Sequence, residues 1–222
     1  MCGVLGLFGT RLDLHVFRFW LGFLTHRGQD ASGMAWFEEP DNFCLSKAHA
    51  YPEEISLPSY SSRIILGSTR YPTHGRRVVS EEGISRFAQP FIKQSQYGTL
   101  AIVHNGQITN VSNLSLNNDY FSDAEAICDL LSQFIVESKG NLQNAVGMLM
   151  EILDGAYSII AALCSREKQQ FFTFRDPWGI RPLVWGYRNG QVAVASESVV
   201  LDHIAIDEVR NVNPGELLYF HI

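Results

Sequence analysis

Long apolar runs are missing from this sequence. Nothing approaches the roughly 18 to 20 uninterrupted apolar residues that a membrane-crossing helix requires. The apolar N-terminal stretch is broken by Arg11, Asp13 and Arg18 and has neither a basic leader nor a cleavage site, which excludes a secretory signal. Cysteine is scarce and scattered over Cys2, Cys44, Cys128 and Cys164, with no C-x-x-C pair, so neither a metal site nor a disulfide framework is expected. Positive charge is short as well. Lys and Arg number 17 against 23 acidic residues, a net charge of −6, and the one dense basic spot, Arg76-Arg77, is too small for a nucleic-acid footprint. Internal repeats and low-complexity linkers are absent. What remains, 222 residues with 46% hydrophobic and 18% charged, is an ordinary globular composition able to bury a substantial core. Unpaired thiols without a leader fit a cytoplasmic protein.

The pattern along the chain alternates strand-like and helix-like segments. Residues 2–9 read as a buried strand ending at Gly9, and Phe17 to Leu24 as a short helix. A loop, Thr25 to Asp30, precedes a strand from Ser32 to Phe37. Segment 51–62, rich in Pro and Ser, reads as surface structure. Ile64 to Tyr71 is a strand leading into the turn Pro72-Thr73-His74-Gly75, and Leu100 to Val103 a strand stopping at the turn signal Asn105-Gly106. Ser122-Asp123-Ala124-Glu125 is a capping box that opens a helix through Ala126, Ile127, Leu130, Leu131 and Phe134. A second helix spans Leu142 to Leu153. Four strands follow, Ala156–Cys164, Gln170–Arg175, Leu183–Tyr187 and Val192–Ser196, and a last one, Glu216–Phe220. A single domain over residues 1–222, with strands around a central helical pair, is the simplest organisation.

Cys2 carries the chemistry. Once Met1 is removed, as the small neighbouring side chain leads one to expect, Cys2 combines a thiol with an α-amine whose reference pKa is about 7.7 to 8.0. A terminal amine can take the nucleophile's proton as a histidine does elsewhere. Attack on an amide further needs an oxyanion hole, which the Asn105 side chain and the Gly106 N–H can supply. It also needs a substrate grip: Arg70 suits a carboxylate and Asp123 an ammonium group. An amide flanked by a carboxylate and an ammonium describes glutamine or asparagine. Each residue also has an ordinary structural use. Asn-Gly commonly makes a hairpin turn, Asp123 can serve the helix start, Arg70 can be an ion-pair partner, and His26, His74 and His104 can be structural. Spacing alone does not choose between these uses.

The segments Met1-Cys2-Gly3-Val4-Leu5-Gly6, His26-Arg27-Gly28-Gln29-Asp30-Ala31-Ser32-Gly33 and Thr69-Arg70-Tyr71-Pro72-Thr73-His74-Gly75 resemble the glutaminase domain of class II glutamine amidotransferases. So do Gln89-Pro90-Phe91, His104-Asn105-Gly106-Gln107-Ile108-Thr109-Asn110, Ser122-Asp123-Ala124-Glu125 and Asp154-Gly155-Ala156-Tyr157. Arg175-Asp176-Pro177-Trp178-Gly179-Ile180-Arg181-Pro182-Leu183 and Ala195-Ser196-Glu197-Ser198 are most similar to the branch that acts on phosphoribosylpyrophosphate. The match runs in order from Cys2 to Pro214-Gly215-Glu216.

The resemblance implies an α+β fold, a four-layer αββα sandwich of the N-terminal nucleophile hydrolase type. It implies Cys2 as nucleophile with its freed amine as base, and Asn105 and Gly106 as the oxyanion hole. Arg70, Thr73, His74 and Asp123 would bind glutamine, with Arg27 and Gly28 supporting the pocket. Glutamine would form a γ-glutamyl thioester and leave as glutamate and ammonia, with no cofactor. Asp176 and Arg181 are expected to serve structure, as an internal ion pair in a turn held by Pro177 and Pro182. No acidic pair followed by a Thr/Gly-rich phosphate loop is found, nor an ATP-binding loop. The ammonia acceptor is therefore expected to be a synthase or phosphoribosyltransferase domain or subunit outside this sequence. Two other functions compete: an N-terminal-cysteine amidase for another amide, which the Arg70 and Asp123 pair disfavours, and a silent glutamine-sensing or scaffolding module, which the complete residue set disfavours.

Overall fold

The computed structural model describes residues 1–40, 42–72, 83, 87–114, 120 and 122–221. In chain order the elements begin with β1 Gly3–Asp13, α1 Leu14–Gly22, β2 Ala31–Glu38, β3 Asn42–His49 and β4 Ser61–Arg70. Next come β5 Phe91–Ser95, β6 Gly98–Ile108, a single helical turn α2 Val111–Leu114, then α3 Asp123–Glu137 and α4 Leu142–Ile152. The chain closes with β7 Gly155–Cys164, β8 Gln169–Arg175, β9 Val184–Arg188, β10 Gln191–Ala195, α5 Ser198–His203, β11 Arg210–Asn211 and β12 Leu217–His221.

Successive strand residues face opposite ways, so apolar residues at both parities mean a strand covered on both faces. In β1, Leu5 and Leu7 enter one core and Val4 and Phe8 another. The same split holds in β6, where Leu100 and Ile102 point one way and Ala101 and Val103 the other. Two antiparallel sheets result. One runs β11-β9-β10-β1-β4-β2-β3 and the other β12-β8-β7-β6-β5. They stack through Val4, Phe8, Ile64 and Leu66 against Ala101, Val103, Ile160 and Phe171, with the Phe8 and Phe171 rings parallel at 5.6 Å. On the outer face of the first sheet, Leu14, Phe17 and Leu21 of α1 and Val200 and Leu201 of α5 are fully buried. At about 1.5 to 3 kcal/mol per large apolar side chain, this burial rather than helix propensity holds the two short helices in place. On the outer face of the second sheet, α3 and α4 bury Ile127, Leu131, Ile135, Val146 and Leu149. The layers are therefore helix, sheet, sheet, helix, the expected αββα sandwich.

Several boundaries differ from the sequence reading. β1 continues past Gly9 to Asp13 after a register shift, because β4 goes on pairing with it through Ser61. The Asp13 carboxylate then caps α1, accepting from the His15 and Val16 N–H groups at 2.8 and 3.3 Å, so the helix starts at Leu14 rather than Phe17. Asn105-Gly106 is not a turn. β6 runs through it, with Asn105 opposite Ser158 and Gly106 opposite Tyr157, and ends at Ile108. The edge strands β3 and β5 and the short α5 lie outside the segments read from the sequence. The capping box holds: Ser122 Oγ accepts the Glu125 N–H at 3.2 Å. No helix among the described residues is long and apolar enough to cross a membrane.

Candidate active site

Strand parity sends the critical side chains to one place. Val4, Gly6 and Phe8 of β1 face the sheet interface, and Gly3 faces the α1 layer, since an added Cβ there would meet Leu24 and Thr69. Cys2, immediately before β1, thus continues the interface face and is buried, its Sγ 3.8 Å from the Tyr71 carbonyl. In β4 the interface residues are Ile64, Leu66, Ser68 and then Arg70, in a strand whose Thr69 pairs with Gly3. In β6 they are Ala101, Val103 and then Asn105. Gly6 is the marker that aligns the sheets: a Cβ there would meet Ile160 and Phe171. Running back from Gly6 leads to Cys2, and running from Ile160 to its neighbour Ser158 leads to Asn105. Cys2, Arg70 and Asn105 therefore share one end of the sheet interface.

Asn105 is fully buried, and among the described residues neither its Oδ1 nor its Nδ2 has a hydrogen-bond partner. Among the described residues the Ser68 hydroxyl and Arg181 Nε, and the His104 Nε2 and Tyr157 hydroxyl on the other face of β6 and β7, are likewise buried and unpartnered. Burial of unbonded amide groups costs about 1 to 3 kcal/mol each, so such a group needs a reason to be there.

The free edge of β6 supplies a second donor. Tyr157 N–H and C=O both engage Asp176 on the β8 side, so Gly106 opposite it directs its backbone groups away from β7. On that edge the Gln89 side chain forms the rung at His104, donating to its carbonyl at 2.9 Å and accepting its N–H. Two residues further than Gly106, the Ile108 N–H donates to Asp123 Oδ2 at 2.8 Å. The Gly106 N–H thus lies between the Gln89 amide and the Asp123 carboxylate, where β5 no longer pairs. Only glycine fits, because a Cβ at 106 would come within 2.1 Å of the Ala156 carbonyl.

The other residues named from the sequence fall as follows. Arg27 is buried beside the nucleophile, its Nε donating to the Cys2 carbonyl at 3.1 Å and its Nη1 paired with Glu197. Gly28 lets the loop close on β4: a Cβ there would meet the Arg70 carbonyl carbon at 2.4 Å. Arg70 is buried and ion-paired with Asp30, with Phe87 under its guanidinium at 5.3 Å. Thr73 and His74 lie outside the described residues. Asp176 corrects an expectation. Its carboxylate accepts from the N–H groups of Tyr157, Trp178 and Ile180 at 3.0 to 3.2 Å, and the Arg181 guanidinium instead meets the Met1 thioether. Backbone donors occupy both carboxylate oxygens, and among the described residues the Arg181 side chain makes no bond to them. Asp30 and Glu197, the anionic partners of the two arginines, were not singled out from the sequence. An acidic residue ending the loop next to Arg27 and Gly28 was the one signal for Asp30.

Electrostatics keep the resting thiol neutral. Burial raises the Cys2 pKa, against the Tyr71 carbonyl contact and the charges of the terminal amine, Arg70 and Arg27. Burial lowers the terminal amine, here on Met1, with Arg27 and Arg181 adding to the effect and Cys2 opposing it. Both shifts belong to the chain that still carries Met1, in which the Cys2 nitrogen is a peptide N–H. No group of three or more His, Cys, Asp or Glu side chains among the described residues is placed to hold a metal.

His104 makes a measurable signature. Burial first and the Arg181 charge second lower its pKa from 6.5 to about 3. The native state keeps the ring neutral while the unfolded chain takes up a proton as pH falls below 6.5, so acid favours unfolding. Its contribution to stability is lost progressively from about pH 6.5 down to about 3, with about 2 kcal/mol gone between pH 7 and 5. Urea unfolding at those two pH values is expected to show His104→Gln lacking this part of the loss. Equal losses in both proteins would refute the assignment.

Two stacked antiparallel sheets between helices, with a cysteine at the head of the first strand facing the sheet interface, define the N-terminal nucleophile hydrolase architecture. The chain belongs to the class II glutamine amidotransferase family: the family model described as "Glutamine amidotransferase domain" matches residues 75–203. It is 34% identical over 243 residues to amidophosphoribosyltransferase of Pasteurella multocida, covering 99% of this chain and 46% of that protein. To the same enzyme of Escherichia coli it is 31% identical, with 99% and 46% coverage. Glutamine phosphoribosylpyrophosphate amidotransferase from B. subtilis, solved in complex with ADP and GMP, superposes with a TM-score of 0.80 at 26% identity, over 99% of this chain and 47% of that one. The chain is thus homologous over nearly its full length to the N-terminal part of these relatives and spans about half of theirs.

Proposed function

We propose that residues 1–222 act as one glutaminase domain, hydrolysing L-glutamine to glutamate and ammonia in the cytoplasm. One observation carries this reading: the buried, unbonded Asn105 amide shares the end of the sheet interface that holds Cys2, beside the Gly106 N–H. A donor kept unpartnered there has a use when an oxyanion forms. In the proposed reaction Met1 is removed, and the Cys2 amine accepts the thiol proton as Sγ attacks the side-chain carbonyl carbon. Asn105 Nδ2 and the Gly106 N–H stabilise the oxyanion. The ammonium at the base returns a proton to the departing nitrogen, which leaves as ammonia, and the Sγ–C thioester remains. Water, deprotonated by the same amine, then cleaves the thioester to glutamate and the free thiol. Asp123, which accepts the N–H of Ile108 two residues along β6 from Gly106, would take the α-ammonium. Arg70 across the interface suits the α-carboxylate, with Thr73 and His74 assisting. The ammonia acceptor is a synthase or phosphoribosyltransferase domain or subunit, by analogy with the longer relatives.

The test is an intact-mass spectrum before and after treatment with a γ-carbonyl diazo analogue of glutamine. Loss of Met1 and one covalent adduct, blocked by glutamine, is expected. A retained Met1 with no adduct would overturn the enzymatic reading in favour of a silent module.

A further inference from the structure

The junction between β10 and α5 is fastened to the start of β1 at Val4, two residues past the nucleophile. Ser196 Oγ accepts the Val4 N–H at 2.9 Å, and the Ser196 N–H donates to the Val4 carbonyl at 3.0 Å. The next residue, Glu197, reaches over Arg27. One carboxylate oxygen bonds Arg27 Nη1 and the other lies 2.9 Å from His26 Nε2. The Arg27 side chain is only 6% exposed, while that of Glu197 is 32% exposed and that of His26 55%. Arg27 Nε in turn holds the Cys2 carbonyl.

We infer that Glu197 is a positioning residue for the nucleophile, acting through Arg27. Resting on the glutaminase reading of Cys2, the inference follows from how little else fixes that residue. Registered pairing of β1 begins at Gly3, so Cys2 precedes the ladder. Once Met1 leaves, Cys2 is the chain end, and the bond from Arg27 to its carbonyl becomes the main restraint on its Cα, amine and thiol. A buried guanidinium holds one orientation only while a carboxylate occupies its fork. Without Glu197, Arg27 turns toward other acceptors and the Cys2 carbonyl is released. Misplacement of a reacting group by about 1 Å can cost on the order of 10²-fold in rate.

Glu197 also screens charge. The groups facing the Met1 amine, the terminus before processing, are the Cys2 thiol, Arg27 from the turn after α1 and Arg181 from the loop after β8, and the same charges lie next to the Cys2 amine that processing exposes. Arg70 of β4, paired with Asp30, and His104 of β6 stand behind them. Removing the Glu197 carboxylate unmasks Arg27, which disfavours the protonated amine. The acidic limb of kcat/KM, which reports loss of the neutral base, then moves to lower pH.

The experiment measures glutamate release against pH for the processed full chain and for E197Q, E197D and the surface control E208Q, well below each melting temperature. E197Q is expected to lose about 10- to 100-fold in kcat with KM within about threefold, and to show the shifted limb. E197D, which keeps the charge on a shorter stem, is expected to lose about 3- to 10-fold with the limb unshifted. E208Q, in an exposed ion pair with Arg210, is expected to match wild type. An E197Q enzyme with an unmoved limb and wild-type kcat overturns the inference, as does one that is only less heat-stable. If E197Q does not fold, E197D decides, and a loss smaller than about twofold at every pH rejects the positioning role. An inactive wild type is a different failure: it removes the glutaminase reading, and this inference with it.

Discussion

Cys2→Ala is expected to reduce glutamate release by about 10⁴-fold or more and to abolish the diazo-analogue adduct, while the protein still folds. The size follows from the role. Without a nucleophile no thioester forms, and what remains is the background from binding and oxyanion contacts alone. The expectation of intact folding follows from the surroundings. The thiol is buried, but its one hydrogen bond among the described residues, to the Tyr71 carbonyl at 3.8 Å, is long and weak. Its replacement by a methyl group removes a single sulfur atom, a loss of about 1 kcal/mol on the scale of other small core truncations. Steady-state assays coupled to glutamate detection, with thermal melting of the same samples, separate the two effects. A Cys2→Ala protein that keeps more than a few per cent of wild-type turnover would move the nucleophile elsewhere, with Cys44 the most accessible of the four thiols.

Much of the sandwich was legible because its central strands are buried on both faces and so stand out as apolar runs. The edges were not. β3, Asn-Phe-Cys-Leu-Ser-Lys-Ala-His, mixes exposed and buried positions, and β5 carries Lys93, Gln94 and Ser95 on a half-exposed rim. Edge strands mask their apolar pattern with polar residues. Asn105-Gly106 misled for a different reason. The pair has strong turn propensity, but ten consecutive residues of β6 register with β7, from Thr99 to Ile108, and tertiary pairing overrides the local preference. Glycine is needed there for the approach of the Ala156 carbonyl, not for a turn. Placing Cys2, Arg70 and Asn105 in one interface needs the sheet order and face parity, which no spacing in the sequence encodes. The ion pairs that hold the two arginines were hidden for the same reason. Asp30 lies 40 residues from Arg70, and Glu197 lies 170 from Arg27. Pairings at those separations are set by the fold, so Arg27 and Arg70 were recognisable while their anchors were not.

Truncating the amide at Asn105 is expected to separate activity from stability. If the side chain stabilises the oxyanion, Asn105→Ala lowers kcat by about 10²- to 10³-fold. KM changes little, because the contact is made in the transition state and not with the bound amide. An asparagine kept for structure would behave in the opposite way, since deleting a bonded buried amide leaves its partners unsatisfied at about 1 to 3 kcal/mol. Here there are no side-chain partners to strand: neither Oδ1 nor Nδ2 is hydrogen-bonded among the described residues, although the side chain is fully buried. Removing a desolvated, unbonded amide recovers much of what its burial costs, and this offsets the small cavity left between Val103 and Ser158. The unfolding free energy is therefore expected to stay within about 1 kcal/mol of wild type, read from urea melts at neutral pH where His104 contributes no difference. The Gly106 N–H, fixed on the open β6 edge, remains in the variant and supports the residual rate. A protein destabilised by several kcal/mol with near-normal turnover per folded molecule would make Asn105 a structural residue and remove the observation on which the glutaminase reading stands.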